Sequence, residues 1–212
     1  MPPQATRPAW RAGAVQLASH PVMARLLQSH GAPQPGPGAA PAARFEALAS
    51  SIAYQQLAGR AAAAIWARVV IEVGAPFTPE AVLATGADRL RACGLSNAKV
   101  AALVDLASRS ADGTLRLERI ARMSDQEVIA HLTVVRGIGP WTAQMFLMFE
   151  LRRIDVWPTG DYGVRAGFAR AFSMEAMPTE RELGVLGEPF APYRSVVAWW
   201  CWREADTVTQ KS

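Results

Sequence analysis

The segment from Leu132 to Arg165 restricts the fold of this chain more than any other stretch of its sequence. Its pattern predicts the end of one helix, a sharp turn at Gly137-Ile138-Gly139, and a second helix that begins at Pro140. Glycine allows a turn within two or three residues because it lacks a Cβ atom. Proline suits the first position of a helix, where its missing N–H would have no helical partner in any case. The segment therefore predicts a helix–hairpin–helix.

The predicted hairpin presents backbone N–H groups to solvent. The amides of Gly137, of Gly139 and of the first turn after Pro140 would lie at the positive end of a helix dipole, an arrangement that suits a phosphate. A second break follows one apolar helix, at Pro158-Thr159-Gly160, and Asp161 then opens another helix. Asp161 lies 22 residues after Gly139, which is enough for one helix and a loop. Its carboxylate can therefore return toward the side of the hairpin.

The rest of the sequence predicts helices and shows no strand pattern of comparable quality. The apolar positions of residues 15–30 predict one helix, and the Pro- and Gly-rich residues 31–43 predict an extended connector. Ser124 and Thr179 each begin a sequence typical of a capping box, which marks a helix start. We therefore expect an all-α fold.

Composition limits the classes of protein that the chain can represent. Lys and Arg outnumber Asp and Glu by 22 to 18 among 212 residues, which favours a polyanionic partner. The two cysteines, Cys93 and Cys201, form no CxxC pair, so a Cys-only zinc site and a four-thiolate iron–sulfur cluster are excluded. The N-terminal residues lack the apolar core of a signal peptide, and no apolar run approaches membrane-spanning length. We expect a cytoplasmic protein, nucleoid-associated if prokaryotic, that makes no membrane contact.

Several segments of the chain resemble one family of DNA repair enzymes. VRGIGPWTA, followed at this distance by an Asp-Tyr pair, is similar to the helix–hairpin–helix and Gly/Pro-rich loop with catalytic Asp of the base-excision DNA glycosylases. Three further segments resemble the 3-methyladenine DNA glycosylase II branch of that superfamily: SSIAYQQLAGRAAAAIW, LRACGLSNAKVAALVDLA and PYRSVVAWWCW. The likeness covers nearly the whole chain.

The resemblance implies two all-α subdomains with a DNA-facing cleft between them. One would be a six-helix unit of residues 44–153 that contains the hairpin. The other would combine residues 1–43 with residues 154–212 and would carry Asp161 near the junction. The family also suggests a monomer.

Asp161 is the residue to which the resemblance assigns the chemistry. Cleavage of an N-glycosidic bond leaves positive charge on the sugar, and a carboxylate beside that centre stabilises the transition state and can orient water. The spacing alone favours another role, because an Asp after Gly at a helix start is commonly an N-cap. The resemblance reverses this preference.

Aromatic side chains are the expected lining of a pocket for a flipped base. By resemblance, Trp141 occupies the place of the lysine that forms a Schiff base in bifunctional relatives, so strand cleavage by β-elimination should be absent. An indole stacks well on a positively charged alkylated purine. The chain has seven Trp residues, and some of them, above all Trp199 and Trp200, are better explained as part of the core. The residues expected at the pocket are Trp141, Trp202, Tyr162, Tyr54 and Met145, the last standing where some relatives have an aromatic residue.

Other positions are candidates for contacts with DNA or an ion. Gln55, Gln56 and Leu57 match the family segment that fills the gap left by the extruded nucleotide, although a polar helix end explains them without the resemblance. A solvated helix start explains Ser96 and Lys99 as readily as a phosphate contact does. The remaining candidates for DNA contacts are Thr142, Gly137, Gly139 and, more weakly, Arg165. As in similar hairpins, the carbonyls of Thr133, Val135 and Ile138 are candidates to hold Na⁺ or K⁺. Neither a catalytic metal nor another cofactor is expected.

The sequence therefore predicts a monofunctional DNA glycosylase that excises alkylated purines, of the 3-methyladenine type, from duplex DNA. A cationic base is a good leaving group, which fits a site with a carboxylate and aromatic residues but no evident proton donor. Two alternatives stay open. One is a non-catalytic DNA-binding module in which Asp161 is only a cap, and the other is a glycosylase for other lesions.

Overall fold

The computed structural model describes residues 7–57 and 59–206, and these residues form helices and loops without a strand. The all-α prediction is confirmed. Three short 3-10 turns and one π-helical turn, Phe146–Glu150, accompany the α-helices. In the described part of the chain the α-helices are α1 (Arg7–Leu17), α2 (Pro21–His30), α3 (Arg44–Tyr54), α4 (Gly59–Val73), α5 (Pro79–Thr85), α6 (Ala87–Ala92), α7 (Asn97–Ala111), α8 (Asp125–Thr133), α9 (Pro140–Met145), α10 (Tyr162–Ala171), α11 (Glu180–Leu186) and α12 (Arg194–Asp206).

The chain divides into two compact units. The first is Ala39–Phe146, and the second comprises the described parts of Pro2–Gly38 and Leu147–Ser212. Residues 39–43, predicted for the second unit, group with the first. Residues 147–153, predicted for the first unit, group with the second. The physical reason is their pairing with α12, because the Phe149 ring contacts Trp199 and Trp202 and the Ser195 hydroxyl donates to the Arg153 carbonyl.

The first unit has a core formed by one face of each long helix. In α3 the buried residues Phe45, Leu48, Ala49 and Ile52 recur at the spacing of a helical face. Helix α7 buries Val100, Leu103, Leu106 and Ala107 in the same way. The Ser124–Glu127 capping box at the start of α8 is present as predicted. The core therefore sets the positions of the helix ends where the candidate residues lie.

The second unit depends on the close packing of α10 against α12. A Cβ atom at Gly167 would lie 1.8 Å from the carbonyl oxygen of Cys201, so the two helices meet backbone to backbone. Cys201 is a buried free thiol, and its burial raises its pKa. The Glu204 carboxylate on α12 accepts hydrogen bonds from His30 (2.7 Å) and Arg25 (3.3 Å) of α2. These contacts join the N-terminal helices to the C-terminal part of the chain.

Two details differ from the helices predicted by the sequence. Residues 15–30 form parts of two helices, because α1 ends at Leu17 and α2 starts at Pro21, whose nitrogen cannot donate within a helix. The His20 side chain caps α2 by accepting from the Val22 amide at 3.2 Å. The apolar helix after the hairpin also ends earlier, at Glu150, and an irregular segment leads from there to Asp161. No helix among the described residues is long and apolar enough to cross a bilayer.

Candidate functional site

The predicted helix–hairpin–helix is present between α8 and α9. Gly137 has a φ of 77°, which an L-residue adopts only with strain. A Cβ at this position would also lie 3.1 Å from the Cβ of Ala102 on α7, so the turn needs glycine for conformation and for space. Gly139 is the N-cap of α9, and Pro140 is its first residue.

Internal contacts use some of the hairpin amides. The Arg136 N–H donates to Oδ2 of Asp105 at 2.8 Å, and the Ile138 N–H donates to the Val135 carbonyl at 3.1 Å. Arg109 donates to both oxygens of Asp105 at 3.0 Å. Burial acts to raise the pKa of Asp105, but the hydrogen bonds from Arg136 and Arg109 outweigh it and hold this pKa below its usual value. A charged carboxylate therefore fixes one side of the hairpin.

The end of α3 is tied to the same hairpin. Gln55 donates from Nε2 to the Gly137 carbonyl at 3.0 Å and to the Thr142 hydroxyl at 3.4 Å. Thr142 is buried, so its hydroxyl faces Gln55 rather than open solvent. Gln56 follows in a left-handed conformation with a φ of 55°, and both Gln56 and Leu57 are exposed. Of the three residues predicted to fill a gap in DNA, two project into solvent and one holds the hairpin.

A cavity of about 540 Å³ lies beside this junction in the first unit. Three of the residues predicted for the base pocket, Tyr54, Trp141 and Met145, line it together. Trp141 is 48% exposed, and this exposure argues against a role in the core, where the residue would be buried. The complete lining consists of Ser51, Tyr54, Gln55, Gln56, Gly137, Trp141, Thr142 and Met145. Its size and its aromatic surface suit a planar ligand.

Asp161 lies in the second unit, where its carboxylate has two identified donors. Oδ1 accepts from the Val164 amide at 2.8 Å, which makes Asp161 the N-cap of α10. The same oxygen accepts from Nε1 of Trp202 at 2.9 Å. Gly163 leaves room for this contact, because a Cβ there would lie 2.9 Å from Cδ1 of Trp202. Two N–H groups thus fix the orientation of a carboxylate beside an indole.

Phe149, which no sequence motif indicated, supports this indole. The Phe149 and Trp202 rings are 5.9 Å apart at 31°, and Phe149 also contacts Trp199 at 6.2 Å. The Arg203 guanidinium lies 5.4 Å from the centre of the Trp199 ring. Phe149 belongs to the π-helical turn, and nothing in the run FLMFE distinguishes it from its apolar neighbours. Trp200, by contrast, is completely buried, in agreement with the core role expected for it.

Most of the other predicted residues make hydrogen bonds within the protein. Tyr162, the first residue of α10, is 72% exposed, and Arg165 donates to the Pro178 carbonyl at 2.8 Å. Ser96 caps α7 by accepting from the Lys99 amide at 3.3 Å. The Lys99 ammonium donates to the Ala53 carbonyl at 2.8 Å, and burial lowers its pKa. The candidate residues therefore form two sets, one in each unit.

The carbonyls predicted to hold a monovalent cation belong to the end of α8 and the hairpin. The Thr133 hydroxyl donates to the Ile129 carbonyl at 2.8 Å, which holds this side chain against the preceding turn of α8. The Val135 carbonyl already accepts from Ile138 but retains a second lone pair. Backbone oxygens of this kind suit Na⁺ or K⁺. Among residues 7–57 and 59–206, no cluster of three or more His, Cys, Asp or Glu side chains could hold a metal ion.

The all-α fold and the glycine-turned hairpin between α8 and α9 define a helix–hairpin–helix protein. Its candidate functional residues are the aromatic cavity in the first unit and the indole-bound capping carboxylate in the second. The chain belongs to the HhH-GPD superfamily of base excision DNA repair proteins, whose family model matches residues 49–190. This finding confirms the family predicted from the sequence.

Individual relatives agree with this assignment. The DNA-3-methyladenine glycosylase 1 of Schizosaccharomyces pombe is 35% identical over 162 residues, which are 75% of this chain and 71% of the relative. The structure of a 3-methyladenine DNA glycosylase from the same yeast, in complex with abasic DNA, matches with a TM-score of 0.79 and 31% identity, over 91% of this chain and 95% of that one. A DNA-3-methyladenine glycosidase from Bacillus halodurans matches with a TM-score of 0.82 and 30% identity, over 95% and 91%.

Proposed function

We propose that this protein is a monofunctional DNA glycosylase that flips alkylated purines of the 3-methyladenine type out of duplex DNA and hydrolyses their N-glycosidic bond. The observation that carries the proposal is the Asp161 carboxylate, oriented by the Val164 amide and the Trp202 indole. The chain also belongs to a base-excision repair family, and its relatives from Schizosaccharomyces pombe and Bacillus halodurans bear the name of this activity. The reaction would begin base-excision repair.

The chemistry needs a fixed negative charge more than it needs an acid. In an alkylated purine the ring already carries positive charge, so the electron pair of the breaking C1′–N bond neutralises the departing base. Asp161 stabilises the positive charge that develops on the sugar, and water adds at C1′ and loses a proton to Asp161 or to solvent. The product is an abasic site in an unbroken strand. No amine stands at Trp141 to form a Schiff base, so β-elimination is not expected.

The first unit supplies the contacts that hold DNA and the displaced base. The hairpin amides at Gly137 and Gly139 would receive a phosphate, and the exposed Gln56 and Leu57 would occupy the gap in the stack. The base would stack in the cavity lined by Trp141 and Tyr54. The proposal requires both sets of residues to act on one nucleotide.

The proposal includes an ion but no catalytic cofactor. Na⁺ or K⁺ on the carbonyls of Thr133, Val135 and Ile138 would add positive charge beside the bound phosphate. Two buried cysteines supply too few thiolates for a four-thiolate iron–sulfur cluster. We further propose a monomer that acts in the cytoplasm, with the nucleoid if the source is prokaryotic.

Release of free base from alkylated duplex DNA by the wild type and by Asp161→Asn tests the proposal. Asparagine is as good an N-cap as aspartate, so α10 should keep its start and the variant should bind DNA. We expect excision to fall by about 100-fold or more, since a stabilising charge is lost. Strand breaks in the wild-type product should appear only after alkali.

Two results would contradict the proposal in different ways. A folded Asp161→Asn variant that excises at the wild-type rate would remove Asp161 from the mechanism. If the wild type binds duplex DNA but releases no base from alkylated or other damaged substrates, the protein is a binding module and Asp161 is only the cap of α10.

A further inference from the structure

Three contacts of α7 within the first unit have a pattern that the proposed function does not explain. Lys99, Ala102 and Asp105 are three residues apart in succession and lie along one side of this helix, over a length of about 9 Å. Each of the three contacts a segment distant in sequence. Lys99 binds the end of α3, whereas Ala102 and Asp105 contact the hairpin.

The Lys99 contact secures the segment that precedes Gln56. The carbonyls of the last turn of a helix lack intrahelical partners, and the Ala53 carbonyl belongs to this set in α3. The Lys99 ammonium lies 2.8 Å from that oxygen, at the negative end of the helix dipole. The helix stops at Tyr54, and the exposed residues follow at once. Lys99 is therefore placed to set where Gln56 and Leu57 leave the helix.

Helix α7 also holds the hairpin in position. The Asp105 carboxylate accepts the Arg136 amide, and the Cβ of Ala102 leaves space only for a glycine at position 137. Gln55 closes the arrangement, because its side chain joins the end of α3 to the Gly137 carbonyl. The hairpin and the end of α3 thus contact one another and also share a rigid support.

We infer that Lys99 is a positioning residue: with Asp105 it uses α7 as a brace that sets the distance between the phosphate-binding hairpin and the gap-filling residues 56 and 57. The consequence for base extrusion rests on the proposed function. A side chain that replaces a flipped base must enter the DNA base stack at a fixed distance from the phosphate that the hairpin binds. Binding to the phosphates would then be independent of Lys99, while extrusion of the base would depend on it.

The variants Lys99→Met and Lys99→Arg test this inference in DNA-binding and single-turnover assays. Lys99→Met keeps the aliphatic stem but loses the contact with Ala53, and Lys99→Arg restores a donor of similar reach. Arg91→Met, which removes an exposed charge from α6, is the matched control for loss of positive charge. A fluorescent base analogue next to the lesion reports extrusion.

If Lys99 positions the segment, Lys99→Met should lower extrusion and the single-turnover rate at saturating enzyme by about 10- to 100-fold. Affinity for undamaged duplex DNA and its dependence on salt should stay as in the wild type and in Arg91→Met. Lys99→Arg should recover most of the rate. A purely structural Lys99 would lower the melting temperature without changing the rate of the folded protein.

Phosphate binding by Lys99 would give a different set of results. If Lys99 instead binds a phosphate, Lys99→Met should weaken binding to every duplex and reduce the slope of log K against log salt by about 0.9. The saturated rate would then be unchanged, and the inference would be overturned.

Amide hydrogen exchange separates failure of this inference from failure of the proposed function. Lys99→Met should exchange faster than the wild type at residues 55–57, with or without catalysis. If the wild type releases no base, the glycosylase proposal fails while exchange and salt dependence still decide the role of Lys99. Unchanged exchange at residues 55–57 would refute the brace.

Discussion

Alanine in place of Gly163 is expected to slow base release while the protein stays folded. A Cβ at this position would lie 2.9 Å from Cδ1 of Trp202 and 3.2 Å from Oδ1 of Asp161. Carbon atoms in ordinary contact are about 3.5–4.0 Å apart, so the indole must retreat by about 0.6 Å. The bond from Nε1 of Trp202 to Asp161 is 2.9 Å long. After such a retreat it would approach about 3.5 Å, where most of its strength is lost.

Two opposing contributions determine the free energy of unfolding of Gly163→Ala. Alanine inside a helix is favoured over glycine by up to about 1 kcal/mol. A hydrogen bond to a charged group contributes about 1.5–3 kcal/mol. The net loss is then about 0.5–2 kcal/mol, which leaves a domain of ordinary stability, about 5–15 kcal/mol, almost fully folded. Loss of the indole hydrogen bond that orients the Asp161 carboxylate should nevertheless reduce the rate by about 10-fold or more.

Gly184→Ala is the matched control, because Gly184 lies in α11 and a Cβ there meets nothing within 4 Å. Single-turnover release of base and thermal unfolding should be measured for both variants. Gly184→Ala should be slightly more stable than the wild type and equally active, whereas Gly163→Ala should be slow. A Gly163→Ala variant with the wild-type rate and stability would show that the indole has room to move and would refute this account of the site.

Three further predictions concern stability, each measured by denaturant or thermal unfolding. Gly167→Ala should lose about 3 kcal/mol or more, because its Cβ would overlap the Cys201 carbonyl; a stable variant would mean that α10 and α12 pack less closely than described. Glu204→Ala should lose about 2–3 kcal/mol by leaving Arg25 and His30 without their carboxylate, while an unchanged stability would make that cluster irrelevant. Asp105 has a lowered pKa when folded, so it stabilises the protein above its unfolded pKa of about 3.9 and loses this effect as pH falls toward the folded value. The stability difference between wild type and Asp105→Asn should therefore shrink between pH 5 and pH 2, and a constant difference would contradict the assigned hydrogen bonds.

The local elements of this fold are predictable from the sequence because their causes are local. Gly137 and Pro140 specify the hairpin through conformations that few other residues adopt. Ser124 and Thr179 form the predicted capping boxes for the same reason. The capping role of Asp161 was also visible, since an Asp after Gly at a helix start indicates a cap. The catalytic role that the family resemblance assigns to Asp161 stays a prediction.

Contacts between distant segments escaped the prediction. The Lys99 contact with Ala53 spans 46 residues, and no periodicity indicates which carbonyl a lysine will reach. Phe149 depends on a π-helical turn, which shifts the face of the helix by an amount that the residue pattern does not contain. The break between α1 and α2 was missed because the apolar spacing continues across it, although Pro21 offered a signal.

The capping role of Asp161 has a consequence for how this activity can be lost over generations. Because asparagine caps a helix as well as aspartate does, one nucleotide change in this codon would leave α10 intact and remove the charge. Selection for a folded chain would not eliminate such an allele. Under the proposed mechanism, its product would keep the hairpin and would still occupy lesions that it cannot remove, shielding them from other repair. The step from repair enzyme to damage-binding protein is therefore short.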